Sequence, residues 1–151
     1  MTLRSGDLYA RYGDPHKEKN LALWYCPPDL LAANPHLPKR VYANKDIHHM
    51  LTAALYKCHE KGVLDEIKSF GGCFNIRNVR GAGEMSLHSY AYAVDLNARD
   101  NPLGKTRAQC IASGLVPFSE KFVSCWESTG WEWGGRWRRG DGMHFQPAKI
   151  P

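Results

Sequence analysis

A chain of 151 residues, 43% apolar and 23% charged, has the composition of an ordinary soluble globular protein and closes a core without disulfide or metal staples. Its formal net charge of +5 suits polyanionic surroundings, whether nucleic acid, an anionic membrane surface or a phosphate-rich envelope, and does not choose among them. The opening Met1-Thr2-Leu3-Arg4-Ser5-Gly6-Asp7 has no apolar run, and no later stretch approaches a membrane span. Cytosolic synthesis without integral membrane contact is therefore expected. The five cysteines, Cys26, Cys58, Cys73, Cys110 and Cys125, form no CxxC pair. They read as reduced, partly buried small side chains rather than a zinc finger.

Prolines at 15, 27, 28, 35 and 38 break residues 1–43 into short pieces. This segment is expected to wrap the core and help wall a groove. From Asn44 to Lys61 the apolar residues Ile47, Met50, Leu51, Ala54, Leu55 and Cys58 make one stripe and predict a helix, with Asn44 as N-cap and Gly62 as stop. His48, His49 and His59 lie off the stripe and read as surface residues. His59-Glu60 does not continue to HExxH, because position 63 is Val. Residues 67–79 read as a strand with a Gly71-Gly72 bulge, ending in Arg77 and Arg80 before Gly81-Ala82-Gly83.

Within Ser86-Leu87-His88-Ser89-Tyr90-Ala91-Tyr92-Ala93-Val94-Asp95, Ala91, Ala93 and Asp95 alternate with Tyr90, Tyr92 and Val94, while His88 sits just before them in polar, loop-like sequence. The alternation predicts a strand, with one nearly bare face ending in a carboxylate. Asp95, Asn97 and Asp100 do not complete a calcium loop, since Arg99 stands at its fifth position. Ser119 to Ser128 predicts a second helix carrying Phe122, Val123 and Trp126 on one face, with Gly130 as terminator. Trp131-Glu132-Trp133-Gly134-Gly135-Arg136-Trp137 could stack on single-stranded nucleic acid, but tryptophans so tightly clustered read better as core packing, and no nucleic-acid partner is expected. Met143 to Gln146 closes the pattern as a strand.

Two histidines and a carboxylate, His88, Asp95 and His144, supply the three ligands of an open zinc site. A single anionic ligand leaves the ion with net positive charge, suited to acidifying water and polarising a carbonyl. Asp141 is placed to act as base if residues 141–144 turn, because strict strand alternation would put it on the opposite face from His144. Arg77 could hold a substrate carboxylate or a developing oxyanion. His-x6-Asp and Asp-x2-His also recur by chance, so spacing alone leaves a non-metal reading open.

Ser86-x-His88-x6-Asp95, then Asp141-Gly142-Met143-His144, resembles the zinc peptidases that include D-alanyl-D-alanine carboxypeptidases and L-alanyl-D-glutamate endopeptidases, among them many phage endolysins. Gly72 to Arg77 resembles that family's arginine-bearing strand, and Trp131 to Trp137 its segment before the last ligand. The resemblance runs from Asn44 to Gln146. It implies one Zn2+ on His88, Asp95 and His144, Asp141 as catalytic base, Arg77 as a catalytic and substrate-contacting residue, and Ser86 beside the substrate. Ala91 stands where the family has glycine, and its methyl is expected to narrow the groove floor or to shift the strand slightly.

The implied fold is α+β, a small antiparallel sheet with helices packed mainly on one side, as in hedgehog signalling domains and D-Ala-D-Ala peptidases. Residues 1–151 are then one monomeric peptidase domain, with 44–147 its catalytic core and no separate wall-binding domain. The partner implied is bacterial peptidoglycan. Between the branches, DGMHF and WGGxW resemble the endopeptidase one, and a chain with no signal peptide suits an endolysin that reaches the wall through a holin. A carboxypeptidase, or a non-catalytic zinc module of the same fold, stands as the alternative.

Overall fold

A computed structural model describes residues 1–79 and 83–151; the expected Arg80 and the glycines following it lie partly outside these, with Gly83 the first described residue after the gap. The architecture is α+β. The elements in order are α1 (Ser5–Tyr12), β1 (Leu21–Tyr25), α2 (Pro28–Ala33), β2 (Arg40–Asn44), α3 (His48–Glu60), β3 (Phe70–Gly72), β4 (Val94–Leu96), α4 (Arg107–Ala112), α5 (Glu120–Glu127), β5 (Trp131–Trp133) and β6 (His144–Pro147). β1 and β2 form an antiparallel pair, and the other strands make a four-stranded antiparallel sheet in the order β3-β4-β6-β5. Among the described residues no helix is long and apolar enough to cross a membrane.

Both predicted helices form. Asn44 ends β2 and its side chain accepts from the Asp46 N–H, capping a 3-10 turn that leads into α3. Gly62 follows at φ +75°. Met50, Leu51, Ala54, Leu55 and Cys58 are buried, so the apolar stripe is the core face. His48 departs from the surface reading. Its Nε2 lies 3.1 Å from the carbonyl oxygens of Ala22 and Ala43, where it ties the start of α3 to the β1–β2 pair. Ser119 caps α5 through its hydroxyl, and Phe122 and Trp126 pack on Phe145 of β6. Trp131 donates its indole N–H to the Met50 carbonyl, joining β5 to α3.

The sheet sorts its residues by alternation. Val94, Leu96 and Phe145 are fully buried, while Asp95 and His144 occupy the positions between them, directly opposite one another across β4 and β6. One face of this strand pair therefore closes the core and the other carries ligand chemistry. The bulge expected at Gly71-Gly72 appears as a register shift between Phe70 and Gly72, but the strand is three residues long rather than reaching 79. Beyond it the chain runs irregularly and is held by backbone bonds from Asn75 N to His88 O and from Ser86 N to Arg77 O.

The strand predicted over 90–95 forms only at its end, and His88 lies before it outside any strand, as expected. Leu87–Tyr90 is a 3-10 turn capped by the Ser86 hydroxyl, and only Val94–Leu96 is strand. Ala91 follows the turn in the left-handed region, φ 51° and ψ 43°, and is fully buried. Glycine suits this position because left-handed backbone costs an L-residue about 1–2 kcal/mol. The methyl of Ala91 thus bears on backbone strain, not on the width of the groove. Ala91→Val, which adds a β-branch to a left-handed, close-packed position, should lower unfolding free energy by about 2–4 kcal/mol. Ala91→Gly should be close to neutral, since relief of strain is offset by about 0.5–1 kcal/mol of added backbone entropy. Denaturant titration of both variants checks this, and an unaffected Val variant would contradict it.

Candidate metal centre

His88, Asp95 and His144 come together, each offering one ligand atom, with all three atoms within 4.8 Å of one another. Asp95 Oδ1 sits between the imidazoles, 3.2 Å from His88 Nε2 and 3.4 Å from His144 Nδ1. Donors about 2.0–2.2 Å from a tetrahedral zinc are separated from each other by roughly 3.3 Å, so these spacings already fit the ion. The two rings stand 5.2 Å apart and nearly perpendicular, at 81°.

The hydrogen bonding of His88 decides what the cluster is for. Its Nδ1 is 2.9 Å from the Cys73 carbonyl oxygen, which can only accept. A ring proton is therefore on Nδ1, and Nε2 is the nitrogen turned toward Asp95. His88 Nε2 and Asp95 Oδ1 are both buried without a hydrogen-bond partner. With the imidazole neutral, a nitrogen lone pair and a carboxylate oxygen 3.2 Å apart repel, and a metal ion between them turns that repulsion into coordination. This donor set of two imidazole nitrogens and one carboxylate fits zinc.

Asp141 precedes β6 in the turn its assignment required, with the His144 N–H donating to the Asp141 carbonyl at 3.1 Å. Its Oδ2 lies 4.0 Å from His144 Nδ1. Gly134 makes this placement possible. A Cβ at Gly134 would meet the Asp141 carbonyl oxygen at 2.5 Å, and the Asp141 N–H donates to the Gly134 carbonyl. The glycine in the tryptophan-rich segment therefore seats the acid by letting two backbones touch.

The electrostatics separate the two carboxylates. Burial opposes charge on Asp95, but the imidazoles of His144 and His88 beside it, once protonated, outweigh that and hold its pKa below the usual carboxylate range. Asp141 moves the other way. Burial raises its pKa, the charge of Asp95 adds to this, and His144, His88 and Arg77 oppose it. Carboxyls pushed apart in this manner suit a permanent anion and a proton carrier.

Both lie in a groove of about 460 Å³. Arg77 and Ser86 also line it, so every expected site residue reaches this one cavity. Arg77 is not at a strand end, however. It sits in the irregular segment, its N–H on the Ser89 hydroxyl. The Ser86 hydroxyl accepts the His88 N–H at 3.2 Å, so it also shapes the turn that carries His88. Thr2, Leu3 and Arg4 form part of the wall, as expected of the amino-terminal segment. Trp131 and Trp133 are buried, in keeping with packing, whereas half-buried Trp137 lines the groove and sits against the His144 ring at 5.2 Å.

Sequence reasoning missed the partners behind the ligands. The Cys73 carbonyl has no side-chain signal. Gln146, whose Oε1 lies 2.9 Å from His144 Nε2, did have one, because residues two apart on a strand share a face. All five cysteines are buried and unpaired.

A family model described as D-alanyl-D-alanine carboxypeptidase matches residues 80–147. That span takes in His88, Asp95, Asp141 and His144, and the match supports a peptidase, a hydrolase acting on peptidoglycan. No curated protein and no solved structure matches the chain.

Proposed function

We propose that the chain is a zinc peptidase that cleaves the L-alanyl-D-glutamate bond of peptidoglycan stem peptides and serves as a phage endolysin, reaching the wall after holin-type release. The observation that carries the zinc reading is the pair of buried, partnerless acceptors, His88 Nε2 and Asp95 Oδ1. His88, Asp95 and His144 would hold the ion, which when bound supplies Lewis acidity for the scissile carbonyl and the attacking water.

The remaining work falls to the chain. Asp141, half-buried and open to the groove, takes the proton of the attacking water on its carboxylate and returns it to the leaving amine. Its raised pKa makes it a stronger base for the first transfer than an exposed aspartate would be. Arg77 lines the same groove and offers a planar fork of donors to a substrate carboxylate or to the developing oxyanion. Ser86 holds the His88 turn at the edge where the peptide lies.

The endopeptidase branch is supported by the DGMHF and WGGxW segments. The matching family model is described by the carboxypeptidase activity, which favours removal of terminal D-alanine as the second reading. Mass spectrometry of purified peptidoglycan incubated with and without a zinc chelator separates them. New amino-terminal D-glutamate, formed only without chelator, is the expected result. Release of terminal D-alanine alone would replace it with the carboxypeptidase, and intact peptidoglycan from every wall type would leave a non-catalytic module.

A further inference from the structure

We propose that Gln146 is the positioning residue that selects which nitrogen of His144 binds the metal, and that the main-chain carbonyl of Leu3 sets Gln146 for this task. The inference rests on the reading of His88, Asp95 and His144 as a zinc site. His144 is used through Nδ1, whereas His88 is used through Nε2. Imidazole can bind a metal through either nitrogen, and the choice follows from where the ring proton is held.

For His88 a backbone carbonyl settles the matter. For His144 the partner is a side-chain amide, which could present either its oxygen or its NH2 to Nε2. Facing Nε2 with NH2 would need Nε2 to accept, drive the proton to Nδ1 and remove the ligand atom. The second end of the amide resolves this. Gln146 Nε2 lies 3.2 Å from the Leu3 carbonyl oxygen, an acceptor that only NH2 can satisfy. Oε1 must then point at His144, 2.9 Å from Nε2, and the proton stays on Nε2.

Gln146 is 2% exposed and His144 6%, so water does not readily substitute for either bond. The segment carrying Leu3 is itself anchored. Thr2 bonds Glu132 of β5, and Arg4 N–H bonds Asp7 in the first turn of α1. A backbone atom at the third residue thereby governs a ligand atom at residue 144.

The test is zinc affinity by chelator competition, alongside the imidazole nitrogen spectrum of the zinc-loaded wild-type chain. Gln146→Leu should weaken zinc binding about 10–100-fold. Gln146→Glu keeps an acceptor on Nε2 but loses the donor to the Leu3 carbonyl, so it should bind zinc more tightly than the Leu variant and less tightly than wild type. In the wild-type spectrum the ring proton should be on Nε2 of His144 and on Nδ1 of His88. Equal affinity for the Leu variant, a Glu variant as weak as Leu, or a proton on Nδ1 of His144 would each overturn the proposal. The spectrum is read on the unaltered chain, so it decides even if a variant does not fold. A wild-type chain that binds no zinc would instead sink the metal-site reading beneath it.

Discussion

Asp141→Asn should lower peptidoglycan turnover by about 10²–10⁴-fold, the range expected for loss of a positioned acid–base group, and should leave one zinc bound per chain. The substitution keeps the shape of the side chain and its neighbours, including the backbone contact with Gly134, but an amide cannot accept and return the water proton. Zinc content by elemental analysis and turnover by release of stem-peptide fragments are the two readouts. Zinc lost together with activity would make Asp141 a ligand or a structural support. Activity retained would remove it from the chemistry and favour a binding module, which needs no base.

The second large effect concerns stability and reverses sign with zinc. A ligand held at 1,000 times its dissociation constant stabilises the folded state by about 4.1 kcal/mol. For a chain of this size that corresponds to a rise in Tm of roughly 8–16 °C, at about 2–4 °C per kcal/mol. Chelation of the wild-type protein should reverse that rise. In Asp95→Asn the zinc-dependent part should vanish. Without metal, at a pH where both imidazoles are neutral, the Asn variant should be at least as stable as wild type. Its NH2 can donate to His88 Nε2, which in the wild type faces another acceptor at 3.2 Å. Thermal unfolding with zinc and with chelator gives all four values. A metal-free Asn variant much less stable than the metal-free wild type would show that Asp95 is satisfied without a cation.

The parts of this site that could be read beforehand are those whose side chains both mark and perform the role. His88, Asp95, Asp141 and His144 are polar residues in an otherwise apolar setting, and the turn needed to bring Asp141 beside His144 was signalled by Gly142. Helical periodicity placed α3 and α5 because their stripes are continuous. Alternation misled over residues 90–93 because the end of a 3-10 turn followed by one left-handed residue can carry the same small-large rhythm as a strand. A glycine at position 91 would have flagged the reversal, and this chain has alanine. The β1–β2 pair was hidden by prolines that bracket it rather than interrupt it. The Cys73 and Leu3 carbonyls were out of reach altogether, since a backbone acceptor leaves no trace in residue type.

Asp95 and His144 are opposing partners in the pairing of β4 with β6, and this sets a timetable for the metal. The two residues are far apart along the chain, and closing so long a loop is slow compared with forming the local turns and helices. Until those strands zip, the chain offers His88 and Asp95 but no complete set of donors. A zinc ion at this site would therefore arrive as a late guest, captured by a sheet already assembled. It would act as a lock on unfolding rather than a seed for folding, and α4, α5 and β5, strung between the paired strands, could change in length without altering the distance that matters to the ion.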